Sequence, residues 1–143
     1  MVAFSGSFAG TIRAQSAISI PDEANHSISI AEVAGIQRSS DENWNNATCT
    51  YWAIAEVSGT SGAQRGYYSN DHGAAGRESG SYEGKVSIVN GQLIIEGTWE
   101  AARGTGKFLG LSASGTFRSR QPSPTEVEVT WEGSYELAAK AAG

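Results

Sequence analysis

The sequence predicts an all-β domain: a single closed antiparallel β-barrel of about eight short strands. Three observations carry this. Glycine-containing alternating segments recur at roughly the 8–12-residue spacing of sandwiches and barrels. Asn90-Gly91 lies between Val86-Ser87-Ile88-Val89 and Leu93-Ile94-Ile95. Both turn residues tolerate positive φ, which predicts a type I′ turn closing a hairpin. The segment Thr125 to Leu137 alternates cleanly. Glu126, Glu128, Thr130, Glu132, Ser134 and Glu136 fall on one face, and Val127, Val129, Trp131, Gly133, Tyr135 and Leu137 on the other. That is the period of a strand with one face in water.

The remaining elements follow in order. Phe4 to Ile12 alternates small and large residues. His26 to Arg38 puts Ile28, Ile30 and Ile36 on one phase. Ala47 to Ser58 carries Tyr51, Trp52, Ile54 and Val57. Gln64 to His72 carries Tyr67 and Tyr68, and Ser79 to Val89 carries Tyr82, Val86 and Ile88. After Glu96, Gly97, Thr98 and Trp99, a glycine-punctuated connection runs from Gly104 to Leu111. Ser112 to Arg120 is a further strand, stopped by Gln121-Pro122-Ser123-Pro124. Two segments could hold helix: Ser40 to Asn46, long enough for one turn, and the alanine-rich tail Leu137 to Gly143. Gly6, Gly10, Gly66, Gly80, Gly84, Gly97, Gly115 and Gly133 lie inside strands. Such glycines mark bends at barrel corners, so they favour a closed, coiled sheet over a flat sandwich.

Composition agrees. The 143 residues make one domain, 1–143. A hydrophobic fraction of 39%, a charged fraction of 17% and 18 glycines suit short strands and tight turns. The net charge of −5 disfavours nucleic acid and anionic membranes as partners. One cysteine, Cys49, excludes an internal disulfide. Met1 to Ile12 has neither a basic n-region nor an apolar h-region, and no stretch approaches the ~20 apolar residues of a membrane span. The expected localisation is cytoplasmic.

Familiar catalytic patterns fail on inspection. Gly104-Thr105-Gly106-Lys107 looks like a phosphate loop, but Ala101 stands where its first glycine belongs and Phe108 where serine or threonine would bind magnesium. The two histidines, His26 and His72, have no second ligand at metal-binding spacing, so no metal is expected. Cys49 lies among aromatics and reads as inert packing.

The stretch from Asn43 to His72 is richer. Strand phase puts Gln64, Gly66, Tyr68, Asn70 and His72 on one face and Arg65, Tyr67, Ser69 and Asp71 on the other. With the first face toward the lumen, a phenol, an amide and an imidazole could bind a carbonyl and move a proton. With that face outward, His72 merely ends a strand beside the turn at Gly73. Trp52, Trp99 and Trp131, with Tyr51 and Asn70, are candidates for lining a cavity, or equally for filling a core. Glu32, Glu56 and Glu96 sit in otherwise apolar strands, and one turned inward would be a general acid or base.

Two stretches carry a family resemblance. Gly97-Thr98-Trp99-Glu100, then Gly104-Thr105-Gly106-Lys107-Phe108-Leu109-Gly110-Leu111, then Gly115-Thr116-Phe117 resembles the late strands of allene oxide cyclase-like and dirigent-like barrels. Pro124 to Tyr135 resembles the last strand of uncharacterised small bacterial proteins of this barrel type. Families on this barrel include plant allene oxide cyclases, dirigent proteins and bacterial spirotetronate or spirotetramate cyclases. The resemblance implies a hydrophobic lumen holding a small apolar or polyene-like molecule, no cofactor, and a homodimer or homotrimer. No functional residue of those families is carried over to this chain.

The resulting expectation is a cofactor-independent lyase, isomerase or cyclase acting on a small hydrophobic substrate inside the barrel. Tyr68, His72 and Glu56 would polarise a carbonyl or shuttle a proton, while Tyr51, Trp52, Asn70, Trp99 and Trp131 would line the pocket. The alternative is a non-catalytic barrel binding a lipophilic molecule. The enzymatic reading predicts a cavity within the roughly 300–1,000 Å³ of ligand pockets.

Overall fold

A computed structural model describes residues 1–138. Wherever the chain alternates large and small residues it forms strand, and every turn but the one at Pro124-Thr125 carries a glycine or asparagine in the left-handed region. The strands are β1 (Val2–Ser19), β2 (Ser27–Ser39), β3 (Thr48–Ser58), β4 (Ser61–Asp71), β5 (Arg77–Val89), β6 (Gln92–Gly104), β7 (Ser112–Ser123) and β8 (Glu126–Glu136). Each pairs antiparallel with its neighbours in sequence. β8 returns to β1, with Val2 opposite Tyr135, and closes the barrel. The predicted fold class is thus observed. Asn90 (φ 52°) and Gly91 (φ 77°) make the predicted turn. Single 3-10 turns at Gly73–Ala75 and Gly106–Phe108 are the helical segments, while residues 41–46 form hydrogen-bonded turns. From residue 139 onward, the predicted alanine-rich tail lies outside the described residues. Among those described, no helix is long and apolar enough to cross a membrane.

One pairing recurs through the interior. Six luminal aromatic rings sit directly opposite glycines of a neighbouring strand. Phe4 faces Gly133 and Trp131 faces Gly6 across the β1–β8 seam. Tyr82 faces Gly66 and Tyr68 faces Gly80 between β4 and β5. Trp99 faces Gly115 and Phe117 faces Gly97 between β6 and β7. Gly6, Gly66 and Gly80 leave the space their opposite rings need, while Gly97, Gly115 and Gly133 let neighbouring backbones approach closely. A Cβ on Gly6 would lie 2.4 Å from the Trp131 ring.

Two layers of core result. Phe8, Val33, Cys49, Val127 and Val129 pack across the middle, with Tyr51 and Phe117 against them. Phe4, Trp44, Phe108, Ala113 and Tyr135 pack at one end. The connections 40–47, 72–76 and 105–111 all emerge at that end, and the turns of the β1–β2, β3–β4, β5–β6 and β7–β8 hairpins at the other.

The apolar phase of β2 is the reverse of what its isoleucines suggest. Ile28, Ile30 and Ile36 are exposed, whereas Val33 and Gln37 are buried.

Gly97 offers a direct test of the close backbone approach between β5 and β6. A Cβ there would lie 1.9 Å from the Glu83 carbonyl oxygen and 2.5 Å from the Gly84 Cα, with only backbone to yield. Gly97→Ala is expected to cost about 1–3 kcal/mol through overpacking. Urea denaturation followed by tryptophan fluorescence measures it, and an unchanged midpoint would contradict that close approach.

Candidate functional site

Three connections close one end of the barrel. Asp41 starts the first. Its Oδ1 accepts the Asn43 amide (2.9 Å) and its carbonyl accepts the Trp44 amide (3.0 Å), an Asx-type turn that folds Trp44 inward. Tyr135 Oη donates to Asp41 Oδ2 at 2.7 Å and braces the turn. In the third connection Thr105 Oγ1 accepts the Arg77 amide (3.0 Å), and the turn that follows buries Phe108 completely. The Gly104-to-Leu111 motif is therefore a device for seating an aromatic plug. His72 packs against both rings, which also touch each other. Its ring centroid is 4.1 Å from that of Phe108 and 5.7 Å from that of Trp44.

Beneath this plug lies a chain of buried polar groups. Trp131 Nε1 donates to Gln37 Oε1 (2.8 Å), and Gln37 Nε2 donates to Asn70 Oδ1 (3.1 Å). Asn70 Nδ2 donates to Glu78 Oε1, which also accepts Trp44 Nε1 at 3.1 Å. His72 Nε2 stands 3.5 Å from the same carboxyl oxygen, and the side chains of His72 and Glu78 are 3% and 2% exposed. A buried carboxyl is costly unless donors surround it, and here one donor comes from the 40–47 connection and one from β4.

Two members of this region lack partners. Among the described residues, Tyr68 Oη and both ring nitrogens of His72 are buried without a hydrogen bond. A buried unsatisfied hydroxyl is uncommon enough to need a reason. Tyr68 lines a cavity of about 90 Å³, together with Phe4, Phe8, Gln37, Trp44, Cys49, Tyr51, Gln64, Asn70, Glu78, Tyr82, Trp99, Ala113, Phe117, Ser119, Val129 and Trp131. Burial holds the Tyr68 phenol well above its ordinary pKa, and the nearby Glu78 charge adds to this. Tyr68 is therefore a neutral O–H donor with nothing to donate to.

The predicted residues divide sharply. Tyr51, Tyr68, Asn70, Trp99 and Trp131 all face the lumen and border the cavity. His72 is also internal, but it packs behind Glu78 and does not border the cavity. Glu56 and Trp52 are on the outer wall, correcting the expectation that they face the lumen. The Glu56 side chain is 61% exposed and accepts His26 Nε2 at 3.0 Å. Trp52 is 42% exposed and donates to Glu32 Oε1 at 2.9 Å. Glu96 is outside too, 3.5 Å from Arg118. The inward carboxyl that the chemistry calls for is Glu78. Its signal was parity: Glu78 lies two residues before Gly80 and four before Tyr82, on the luminal phase of β5. The cavity is also smaller than the expected range, because the opposed aromatic rings fill most of the lumen.

Cys49 is buried in the middle layer. Burial pushes its thiol up to about 12, with the Glu78 charge a secondary cause. Native protein at pH 8 is therefore expected to resist iodoacetamide and to alkylate fully once unfolded in urea, as read by mass spectrometry. Rapid labelling of the folded protein would contradict this placement. Comparison of the chain with protein-family models and with curated proteins found no match.

Proposed function

We propose that the barrel binds a compact, largely apolar molecule bearing one hydrogen-bond acceptor, seated in the lumen against Tyr68. The observation that carries this reading is the unpartnered Tyr68 hydroxyl on the wall of an aromatic cavity. The ligand's polar atom would meet the Tyr68 hydroxyl in a cavity otherwise lined mainly by aromatic and aliphatic side chains. A cavity of about 90 Å³ suits a single ring or a short chain rather than an extended polyene. The eight-strand antiparallel closure and the Gly104-to-Leu111 plug support placing the chain among allene oxide cyclase-like barrels.

The second reading adds cofactor-independent proton transfer, as in an isomerase or lyase. It is favoured by Glu78, whose carboxyl borders the same cavity as the Tyr68 hydroxyl. In a β,γ-unsaturated ketone, Tyr68 would hydrogen-bond the carbonyl oxygen while Glu78 takes the α-proton. The C–H electron pair becomes the enolate, and return of the proton at the γ-carbon gives the conjugated ketone. No oxidant, metal or second substrate enters this balance. His72, behind Glu78, would position the carboxyl rather than touch substrate.

Cyclohex-2-enone is a suitable probe for binding, because Trp99 and Trp131 report on the cavity by fluorescence. Saturable quenching is expected, weakened about 3–10-fold in Tyr68→Phe, the loss of one hydrogen bond. No saturable change in wild type would refute the binding reading. For the second reading, cyclohex-3-enone is offered and conjugation is followed by ultraviolet absorbance. Glu78→Gln, which keeps the oxygen that accepts Asn70 and Trp44, is expected to bind the probe normally and to lose turnover. Equal turnover in both proteins would exclude Glu78 as the base.

A further inference from the structure

β1 outlasts one of its partners. Its register with β8 ends at Thr11 opposite Glu126, followed by one bond from Ile12 N to Thr125 O at 2.8 Å. With β2 it continues to Ser19 opposite Ser27. Residues 13–19 thus have a strand on one side and, among the described residues, none on the other. All of them are exposed.

A bulge decides which backbone groups are left over. The β1–β2 register shifts between Ile12 and Ala14, with Arg13 the extra residue. Before the bulge, Ile12 points its amide toward β8, so the even-numbered residues serve that side. After it, Ile20 N donates to His26 O at 2.8 Å, so the even-numbered residues serve β2. Gln15, Ala17 and Ser19 therefore present their N–H and C=O groups along an open edge. Edges of this kind are normally blunted by lysine, proline or inward charge. Residues 14–19 (Ala-Gln-Ser-Ala-Ile-Ser) carry none of these.

We propose that this edge pairs antiparallel with the same edge of a second copy of the chain, about a two-fold axis at Ser16. In that register Gln15 and Ala17 of the two copies exchange backbone hydrogen bonds, and Ala14 meets Ile18 on the outer face. The sequence complements itself in charge as well. Arg13, the one charged residue of the segment, makes no ion pair among the described residues. Paired, it lies beside Ser19 of the second copy and points toward that copy's acidic turn, where Asp22 and Glu23 are 59% and 58% exposed. A two-fold contact uses both edges at once, so assembly stops at two.

Analytical ultracentrifugation and native mass spectrometry of the purified chain at micromolar concentration test this. A dimer is expected. Ala17→Pro removes an amide that faces the open edge and not β2, so the barrel itself should be spared. Ser16→Lys brings two ammonium groups together at the axis. Each is expected to weaken dimerisation by about tenfold or more while leaving circular dichroism and thermal unfolding of the barrel unchanged. If Ala17→Pro does not fold, Ser16→Lys decides alone. A monomeric wild type, a trimer, or a dimer that survives the folded variants would overturn the proposal.

Discussion

The constraint on which the structure depends is the pairing of six luminal rings with glycines on neighbouring strands. An eight-strand barrel is narrow, with room inside for side chains and little else. Tyr68 opposite Gly80, Tyr82 opposite Gly66, Trp99 opposite Gly115 and Trp131 opposite Gly6 let large rings occupy that space without pushing strands apart. The same glycines let backbones approach so closely that a Cβ on Gly80 would sit 2.0 Å from the Glu100 carbonyl oxygen and 2.7 Å from the Tyr68 hydroxyl. Ring placement, sheet curvature and the small size of the cavity are therefore one effect. Gly80 in particular fixes where the free Tyr68 hydroxyl lies.

The polar chain is the second consequence of a narrow interior. A carboxyl in such a place needs donors within reach, and the donors need to be held still. Trp44 reaches Glu78 only because the Asp41 turn folds inward, and Asn70 reaches it only because β4 and β5 pair Asn70 with Glu78. The chain then runs through Gln37 to Trp131, tying β2, β4, β5 and β8 together across the lumen. Beside that hydrogen-bonded chain, the Tyr68 phenol and the His72 ring are buried without partners among the described residues.

Legibility in the sequence followed how one-sided each strand is. β8 has acids and hydroxyls outward and apolar residues inward, so its phase could be read directly, as could the Asn90-Gly91 turn. β2 and β3 carry apolar residues on both faces. There the isoleucines pointed to the wrong side, and Trp52 and Glu56 went with them. The ring-against-glycine rule resolves the ambiguity where it occurs. Tyr68 and Tyr82 inward on β4 and β5 demand Gly80 and Gly66 opposite, and carrying that parity back along β5 arrives at Glu78. For β3, pairing with β4 puts Tyr51 opposite Tyr68, and Trp52 and Glu56 then fall outside. What parity could not supply was the plug. Trp44 and Phe108 come from connections, where turn geometry decides which side chain enters. The edge of β1 was missed for the opposite reason. Residues 13–19 bury neither face, so they leave no periodic signal at all.

That edge and the luminal cavity make different demands on one strand, and the bulge at Arg13 separates them. Before it, β1 is a closing strand. Phe4 and Phe8 point inward, and the amides facing β8 seal the barrel. After it, the parity of the backbone is reversed, and the strand continues as an arm that, among the described residues, pairs with β2 alone. The arm projects from the end of the hairpin turns, whereas Trp44, His72 and Phe108 close the opposite end. Sheet added along the arm would thus meet none of the residues that border the cavity. A bulge on an edge strand is one of the ordinary means of ending sheet growth. Here pairing to β8 ends where β8 begins at Glu126, and the bulge just beyond it decides that Gln15, Ala17 and Ser19, rather than their even-numbered neighbours, turn their hydrogen-bonding groups outward.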